Sequence, residues 1–313
     1  MKQLTIYLGS RCNLACAYCH RKADAKEPQV SAELLSRIKD GDGLTIKFMG
    51  GEPTLYMADI KQIVEVAPCA HYAICTNGVE LEKHLPFFRK YKFLVCISYD
   101  GDEGNKRGFD PFTKVIDYPY LAVSTTIYHG NTDFKEILKR FAEKERIIGR
   151  SLSFFPHFAH ATESNDYSLT KEDADSVLSQ YKEYVGGYMK ERFNYGVRNL
   201  RFEGMFTGLL RRYEADFSYG ETYCVNSRVK KCDAGGRLFT CLYMRDDELT
   251  SENWQAEQRR ILDARFPECR DCPVYFMCGG GCVKSKSREI ECYINKRLFS
   301  WFKTGYEKGR KQC

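Results

Sequence analysis

The chain has 313 residues, 43% of them hydrophobic and 29% charged, with a formal net charge of +6. That length can bury a sizeable core and suits one large domain plus one small one; the modest charge does not point to nucleic acid, and no apolar stretch reaches membrane-spanning length. Fifteen cysteines occur in a chain whose N-terminus carries no signal-peptide pattern, so a cytoplasmic, reducing setting and metal ligation rather than disulfides are expected.

Short apolar strands alternate with helical stretches as far as about residue 158. The first predicted strand is Leu4–Leu8 and the second Leu44–Phe48, with Ser31–Lys39 helical between them. Helix Ala58–Val66 leads to a third strand, Tyr72–Cys75, and the stretch Leu81–Arg89 to a fourth, Phe93–Tyr99. Tyr120–Tyr128 and Ser151–Phe158 follow as strands five and six, separated by the charged helix Phe134–Arg146. Six such units predict an α/β fold on a parallel sheet, open or partly closed as a barrel. A long helix, Lys171–Asn194, comes next, and a domain boundary is expected between about 195 and 223. From Cys224 onward the chain reads as cysteine-rich, turn-rich and weakly periodic, as in a small domain held by metal.

In parallel sheets of this kind ligands bind beyond the carboxyl ends of the strands, and the notable short motifs all lie there. Cys12, Cys16 and Cys19 form C-x3-C-x2-C directly after strand one. Three thiolates so close can hold one soft-metal centre. On a four-iron cluster they leave one iron open to a non-protein ligand. The same cysteines with His20 would also suit a structural zinc. Gly50-Gly51-Glu52-Pro53 follows strand two, Thr76-Asn77-Gly78 strand three, and Ser98 with Asp100-Gly101 closes strand four. Each alone is ordinary turn chemistry; four at one rim point to a ligand site.

With the three-cysteine motif, Tyr18 just before its last cysteine, and Gly-Gly-Glu-Pro after strand two, residues 1–160 resemble the radical S-adenosylmethionine (radical SAM) enzymes. The resemblance implies a partial (β/α)6, TIM-like barrel. It also implies a [4Fe–4S] cluster on Cys12, Cys16 and Cys19, whose open iron is chelated by the methionyl group of S-adenosylmethionine. Gly50 and Gly51 would let the backbone approach the ligand, Glu52 would face the methionyl ammonium, and Pro53 would stiffen the turn. Tyr18 would lie near the adenine, and Ser98 and Asp100 near ribose and carboxylate. Arg107 serves the carboxylate or is a solvated loop charge.

Eight further cysteines lie between Cys224 and Cys292. Cys224, Gly236, Cys241, then Cys269, Cys272, Cys278, Cys282 and finally Cys292 resemble a SPASM domain. That implies two auxiliary [4Fe–4S] clusters, three in all. Cys224, Cys241 and Cys282 would hold the first, and Cys269, Cys272, Cys278 and Cys292 the second. Cys232 is expected to complete the first, the alternative being a packed thiol. Cys69, Cys75, Cys96 and Cys313 fit no motif. The resulting division is a radical SAM barrel over residues 1–200 and a SPASM domain over 201–313.

The expected activity is that of a peptide maturase. A 5′-deoxyadenosyl radical removes a hydrogen from a ribosomally made peptide, giving a crosslink, thioether or oxidised residue. Sulfatase-maturing relatives place an aspartate after the cysteine of the G-x4-C segment; here Leu242 stands there, followed by Tyr243. That counts against formylglycine formation on a sulfatase, which stays an alternative beside a small-molecule dehydrogenase. An electron-transfer or zinc scaffold protein is the non-enzymatic alternative. Expected partners are a peptide or protein substrate and an electron donor such as flavodoxin or ferredoxin. Because the chain enters strand one within four residues, leader binding is expected to need a separate peptide-recognition protein or another surface. His157, Glu203 and Tyr243 are candidates for a proton acceptor.

Overall fold

The computed structural model describes residues 2–19, 27–101, 106–113, 116–159, 167–226, 228–239, 254–282, 285 and 288–311. His20, Cys241, Leu242, Tyr243 and Cys313 lie outside the described residues. In chain order the first elements are β1 (Lys2–Tyr7), α1 (Ala32–Arg37), β2 (Leu44–Met49), a 3₁₀ turn Pro53–Tyr56, α2 (Met57–Val66), β3 (His71–Thr76), α3 (Leu81–Lys90) and β4 (Leu94–Ser98). Then come β5 (Leu121–Ile127), α4 (Phe134–Ile148), β6 (Pro156–Phe158), α5 (Lys171–Tyr195) and α6 (Leu200–Ala215). The last are β7 (Val229–Asp233), α7 (Trp254–Arg265), a 3₁₀ turn Pro267–Cys269, the single-turn α8 (Tyr275–Cys278) and α9 (Arg288–Arg310).

The chain divides into two compact units that interleave along the sequence. One comprises Met1–Tyr99, Lys106–Ala122 and Cys224–Glu257; the other Asp100–Asn105, Val123–Tyr223 and Gln258–Cys313. In the first, parallel strands run in the order β4-β3-β2-β1-β7. The α/β class and the partial, TIM-like barrel arrangement of parallel strands are as predicted, and all six predicted strands are present, the sixth only over Pro156–Phe158.

Register explains why these segments are strands. Ile6 pairs with Phe48, Phe48 with Ile74, and Ile74 with Val95. Partners in parallel strands share a face, so the four form one row, and all are fully buried. Burying each contributes roughly 1.5–3 kcal/mol. Phe93 stacks on Phe48 and Tyr72 at 5.9 and 5.0 Å, and Ile60 and Ile63 of α2 and Phe88 of α3 are buried as well. Residues between them in the strands, such as Lys47, Cys75 and Cys96, are half-buried on the opposite face.

The sequence reading missed β7. It pairs with β1 from Gln3–Val229 to Tyr7–Asp233. Three of its five residues, VKKCD, are lysine or aspartate, and it shows no buried-strand pattern; edge pairing, not periodicity, makes it a strand.

In the second unit β5 pairs in parallel with β6, Thr125 opposite Pro156. Helices α5, α6, α8 and α9 pack together around Phe206, whose ring meets those of Tyr188, Phe302 and Tyr306 at 5.6, 5.9 and 6.2 Å. A Thr170–Asp173 capping box starts α5 and left-handed Gly196 ends it. The stretch in which a boundary was predicted is largely α6, capped by Asn199. The expectation of a weakly periodic, turn-rich segment to the C-terminus needs correction at its end. There α9 spans 23 residues and buries Ile294, Leu298, Phe299 and Phe302 at helical spacing. No described helix is long and apolar enough to cross a membrane.

Candidate functional site: two cysteine centres

The N-terminal cysteine loop leaves β1 through a close passage beside the Gly-Gly-Glu-Pro turn. Gly51 N donates to Gly9 O at 2.8 Å and Glu52 N to Arg11 O at 2.7 Å. A Cβ on Gly51 would lie 2.2 Å from the carbonyl oxygens of both Ser10 and Arg11. The turn's glycines thus let the cysteine loop itself come close, where sequence reasoning had invoked a ligand. Gly51→Ala is expected to cost roughly 1–3 kcal/mol as an overpacking change, and to loosen iron at the N-terminal cysteines. Thermal denaturation and iron counts check this against Gly187→Ala, where nothing lies within 4 Å of an added Cβ.

Glu27 closes the loop back onto its start. Its carboxylate accepts from Ser10 N at 3.2 Å and Ser10 Oγ at 2.7 Å, and Tyr56 Oη donates to it at 2.7 Å. Tyr56 Oη also accepts from Arg11 N at 2.8 Å, and the Arg11 guanidinium lies 4.5 Å over the Tyr56 ring. Burial, then the bond to Glu27, raises the Tyr56 phenol above its ordinary pKa. Neither residue was found from sequence; Tyr56 reads as an ordinary helix-start aromatic, and Glu27 as a loop charge.

Within this loop Cys12 and Cys19 are exposed and Cys16 half-buried. Their sulfurs face nitrogen donors: Leu14 N lies 3.4 Å and Asn77 Nδ2 3.8 Å from Cys12 Sγ, and Arg107 Nη1 lies 3.9 Å from Cys16 Sγ. Asn77 Nδ2 also donates to Asn13 Oδ1 at 2.8 Å. The Arg107 guanidinium sits 5.6 Å over the Tyr18 ring, and Ala17 N donates to Lys106 O at 2.9 Å. Cys12 and Cys16 face such donors, which suits an anionic iron–sulfur ligand set. The structure therefore brings Tyr18 and Cys16 to Arg107.

Glu52 is 1% exposed. Its Oε1 accepts from Thr54 N, Thr54 Oγ1 and Thr76 Oγ1 at 3.1, 2.7 and 2.7 Å, and its Oε2 from Asn77 N at 2.7 Å. The carboxylate binds the ends of β2 and β3 into one rim. Pro53, buried, opens the 3₁₀ turn that follows. Ser98 is half-buried at the end of β4. Asp100 belongs to the second unit, where its Oδ1 accepts from Thr126 N at 2.8 Å and its carbonyl from Asn131 Nδ2 at 3.2 Å.

The second centre lies within the second unit. Cys269, Cys272, Cys278 and Cys292 all line one pocket. Among the described residues no three His, Cys, Asp or Glu side chains converge as on a single ion. Cys278 leads into Gly279-Gly280-Gly281, whose φ angles are 61°, 74° and 69°. Three consecutive left-handed residues are open only to glycine, and they turn the chain towards Cys282. Burial pushes the Cys278 thiol up to about 11 and also raises Cys269.

Of the other cysteines, Cys224 is exposed in the first unit and Cys282 half-buried in the second. Cys232 pairs with Ile6 across β1–β7 and is fully buried on the same apolar face as Phe48 and Ile74. Burial pushes its thiol up to about 12, with Asp233 adding to the rise. Cys75 and Cys96, which matched no motif, are register partners on β3 and β4. Contact with Cys75, then burial, raises the Cys96 thiol. Glu203 takes charge-assisted bonds from Arg192 at 2.8 Å and a hydrogen bond from Tyr188, which ties α5 to α6. His157 is exposed on β6 beside Phe155.

Residues 6–122 match the family profile of the Radical SAM superfamily. The cysteine-type anaerobic sulfatase-maturating enzyme of Clostridium novyi (strain NT) is 24% identical over 376 aligned positions, covering 98% of this chain and 96% of that protein. Its counterpart in Clostridium perfringens (strain ATCC 13124) is also 24% identical, covering 93% of this chain and 90% of that one. A probable GTP 3′,8-cyclase of Methanosarcina mazei is 30% identical over 305 aligned positions, 87% of this chain and 86% of that protein. The chain belongs to the radical SAM superfamily and is distantly like the sulfatase-maturating enzymes. Membership implies S-adenosylmethionine and a [4Fe–4S] cluster as cofactors.

Proposed function

We propose that this radical SAM enzyme modifies a peptide or protein, with its N-terminal cluster on Cys12, Cys16 and Cys19 and an auxiliary cluster on Cys269, Cys272, Cys278 and Cys292. When bound, the N-terminal cluster and S-adenosylmethionine supply a 5′-deoxyadenosyl radical that takes a hydrogen from the substrate. The observation that carries the reading is the second cysteine pocket, which a simple one-cluster enzyme has no need of. It is supported by similarity over nearly the whole chain to proteins named as acting on sulfatases.

The chain's own residues then have definite tasks. Asn77 and Arg107 hold Cys12 and Cys16 in place through N–H···S contacts. Glu52 and Pro53 keep the rim rigid. Tyr18, Gly50, Gly51, Glu52, Ser98 and Arg107 are the S-adenosylmethionine contacts in this reading. Cys232, fully buried on the apolar face beside Ile6, fits the packed-thiol alternative. Similarity to sulfatase-maturating enzymes favours formylglycine formation as the second reading, against which Leu242 replaces the aspartate expected of a base.

The test is anaerobic turnover of the iron-loaded enzyme with S-adenosylmethionine and reductant. Its two substrates are a short precursor peptide encoded beside the gene and a cysteine-containing sulfatase peptide. A mass change in the precursor, coupled to 5′-deoxyadenosine, is expected. Conversion of the sulfatase peptide alone would establish the second reading. Turnover of neither, with a nucleotide consumed instead, would overturn both.

A further inference from the structure

Helix α9 presents more than a ligand to the four-cysteine pocket. Arg288, Cys292 and Asn295 fall at i, i+4 and i+7, one helical face, and all three line the pocket. Arg288 Nη2 donates to Cys269 Sγ at 3.0 Å, and Asn295 Nδ2 to Cys278 Sγ at 3.5 Å. The arginine is held on two further sides: Nη1 donates to Gly280 O at 2.6 Å, and the guanidinium lies 3.4 Å from the Phe266 ring centroid. It is thus a fixed donor, not a solvated charge. Other charges lining the pocket are Glu268, Glu291 and Lys296. Glu291 accepts from Ser285 Oγ at 2.6 Å.

We infer that Arg288 and Asn295 set the reduction potential of the iron–sulfur centre in this pocket. Each gives an N–H···S bond to a ligand sulfur and so favours the reduced, more negative state. Hydrogen bonds to cluster and ligand sulfurs are among the main means by which a protein tunes such potentials. The inference rests on the proposed cluster assignment and goes beyond it, since four-cysteine ligation alone does not say how strongly the centre holds an electron. Arg288 and Asn295 are positioning and tuning residues here, not catalytic ones.

The experiment is an EPR-monitored redox titration of the full-length protein, reconstituted anaerobically in a Cys12→Ala, Cys16→Ala, Cys19→Ala background. A Cys269→Ala, Cys272→Ala, Cys278→Ala, Cys292→Ala variant identifies which signal belongs to the pocket. If it loses no iron, the cluster assignment itself fails, independently of the tuning. With the signal identified, Arg288→Met is expected to weaken its reduction at least tenfold, which is about 59 mV for one electron. Asn295→Leu should shift it the same way by less, and Arg288→Lys should recover part of the loss. Unchanged midpoints in Arg288→Met and Asn295→Leu at full iron content would overturn the inference. Should Arg288→Met not hold its iron, Asn295→Leu decides alone: a fall supports the inference and an unchanged midpoint overturns it.

Discussion

Replacing Cys12, Cys16 and Cys19 together by alanine reduces 5′-deoxyadenosine formation to background, while iron bound by the C-terminal cysteines is retained. The loss is chemical and not a failure to fold. Cys12 and Cys19 are exposed and Cys16 only half-buried, so removing the thiols leaves no sizeable core cavity. The surrounding architecture does not depend on the thiols either. Ser10, Glu27, Tyr56 and Arg11 close the loop through bonds that the cysteines do not share. Chromatographic detection of 5′-deoxyadenosine under strong reductant, with iron and thermal denaturation measured on the same preparation, provides the check. Undiminished 5′-deoxyadenosine from the triple variant would sink the assignment of the N-terminal centre.

Glu52→Ala is expected to lower both stability and affinity for S-adenosylmethionine. The carboxylate satisfies two buried backbone donors, Thr54 N and Asn77 N, besides the Thr54 and Thr76 hydroxyls. Orphaning a buried donor costs about 1–3 kcal/mol, so the pair implies a stability loss of roughly 2–6 kcal/mol. Sequence reasoning assigned Glu52 to the methionyl ammonium, a charged hydrogen bond of roughly 1.5–3 kcal/mol. Glu52→Gln separates the two roles because it keeps the volume and an acceptor oxygen but removes the charge. The expected result is a smaller stability loss with the affinity loss intact. Native affinity in a binding titration of Glu52→Gln would make Glu52 an organiser of the rim and nothing more.

Much of this protein was legible in its residues because the signals are local. A capping serine before α1 and the Thr170–Asp173 box before α5 are satisfied within one turn. Alternating or continuous apolar runs mark β1 to β4, since the helix-covered face of the sheet must be apolar whatever packs on it. The resemblance to a SPASM domain grouped Cys269, Cys272, Cys278 and Cys292, and the short turn α8 and the glycine run that follows it lie among them. Cys292 joins them from the first turns of α9.

What local pattern cannot carry is the meeting of residues far apart in the chain. Arg107 reaches Cys16 across 91 positions, and Glu27 returns to Ser10 across 17; nothing in either neighbourhood announces the partner. The polar strand β7 exists because β1 offers an open edge in register, not because VKKCD favours a strand. Likewise Glu52 reads from sequence as a ligand carboxylate. The folded chain brings Thr76 and Asn77 to it, and a buried charge draws every donor within reach. The chemistry this protein can hold was determined by residue type and spacing. Which nitrogen faces which sulfur was decided by tertiary packing alone, because those contacts depend on the register of strands and the facing of helices.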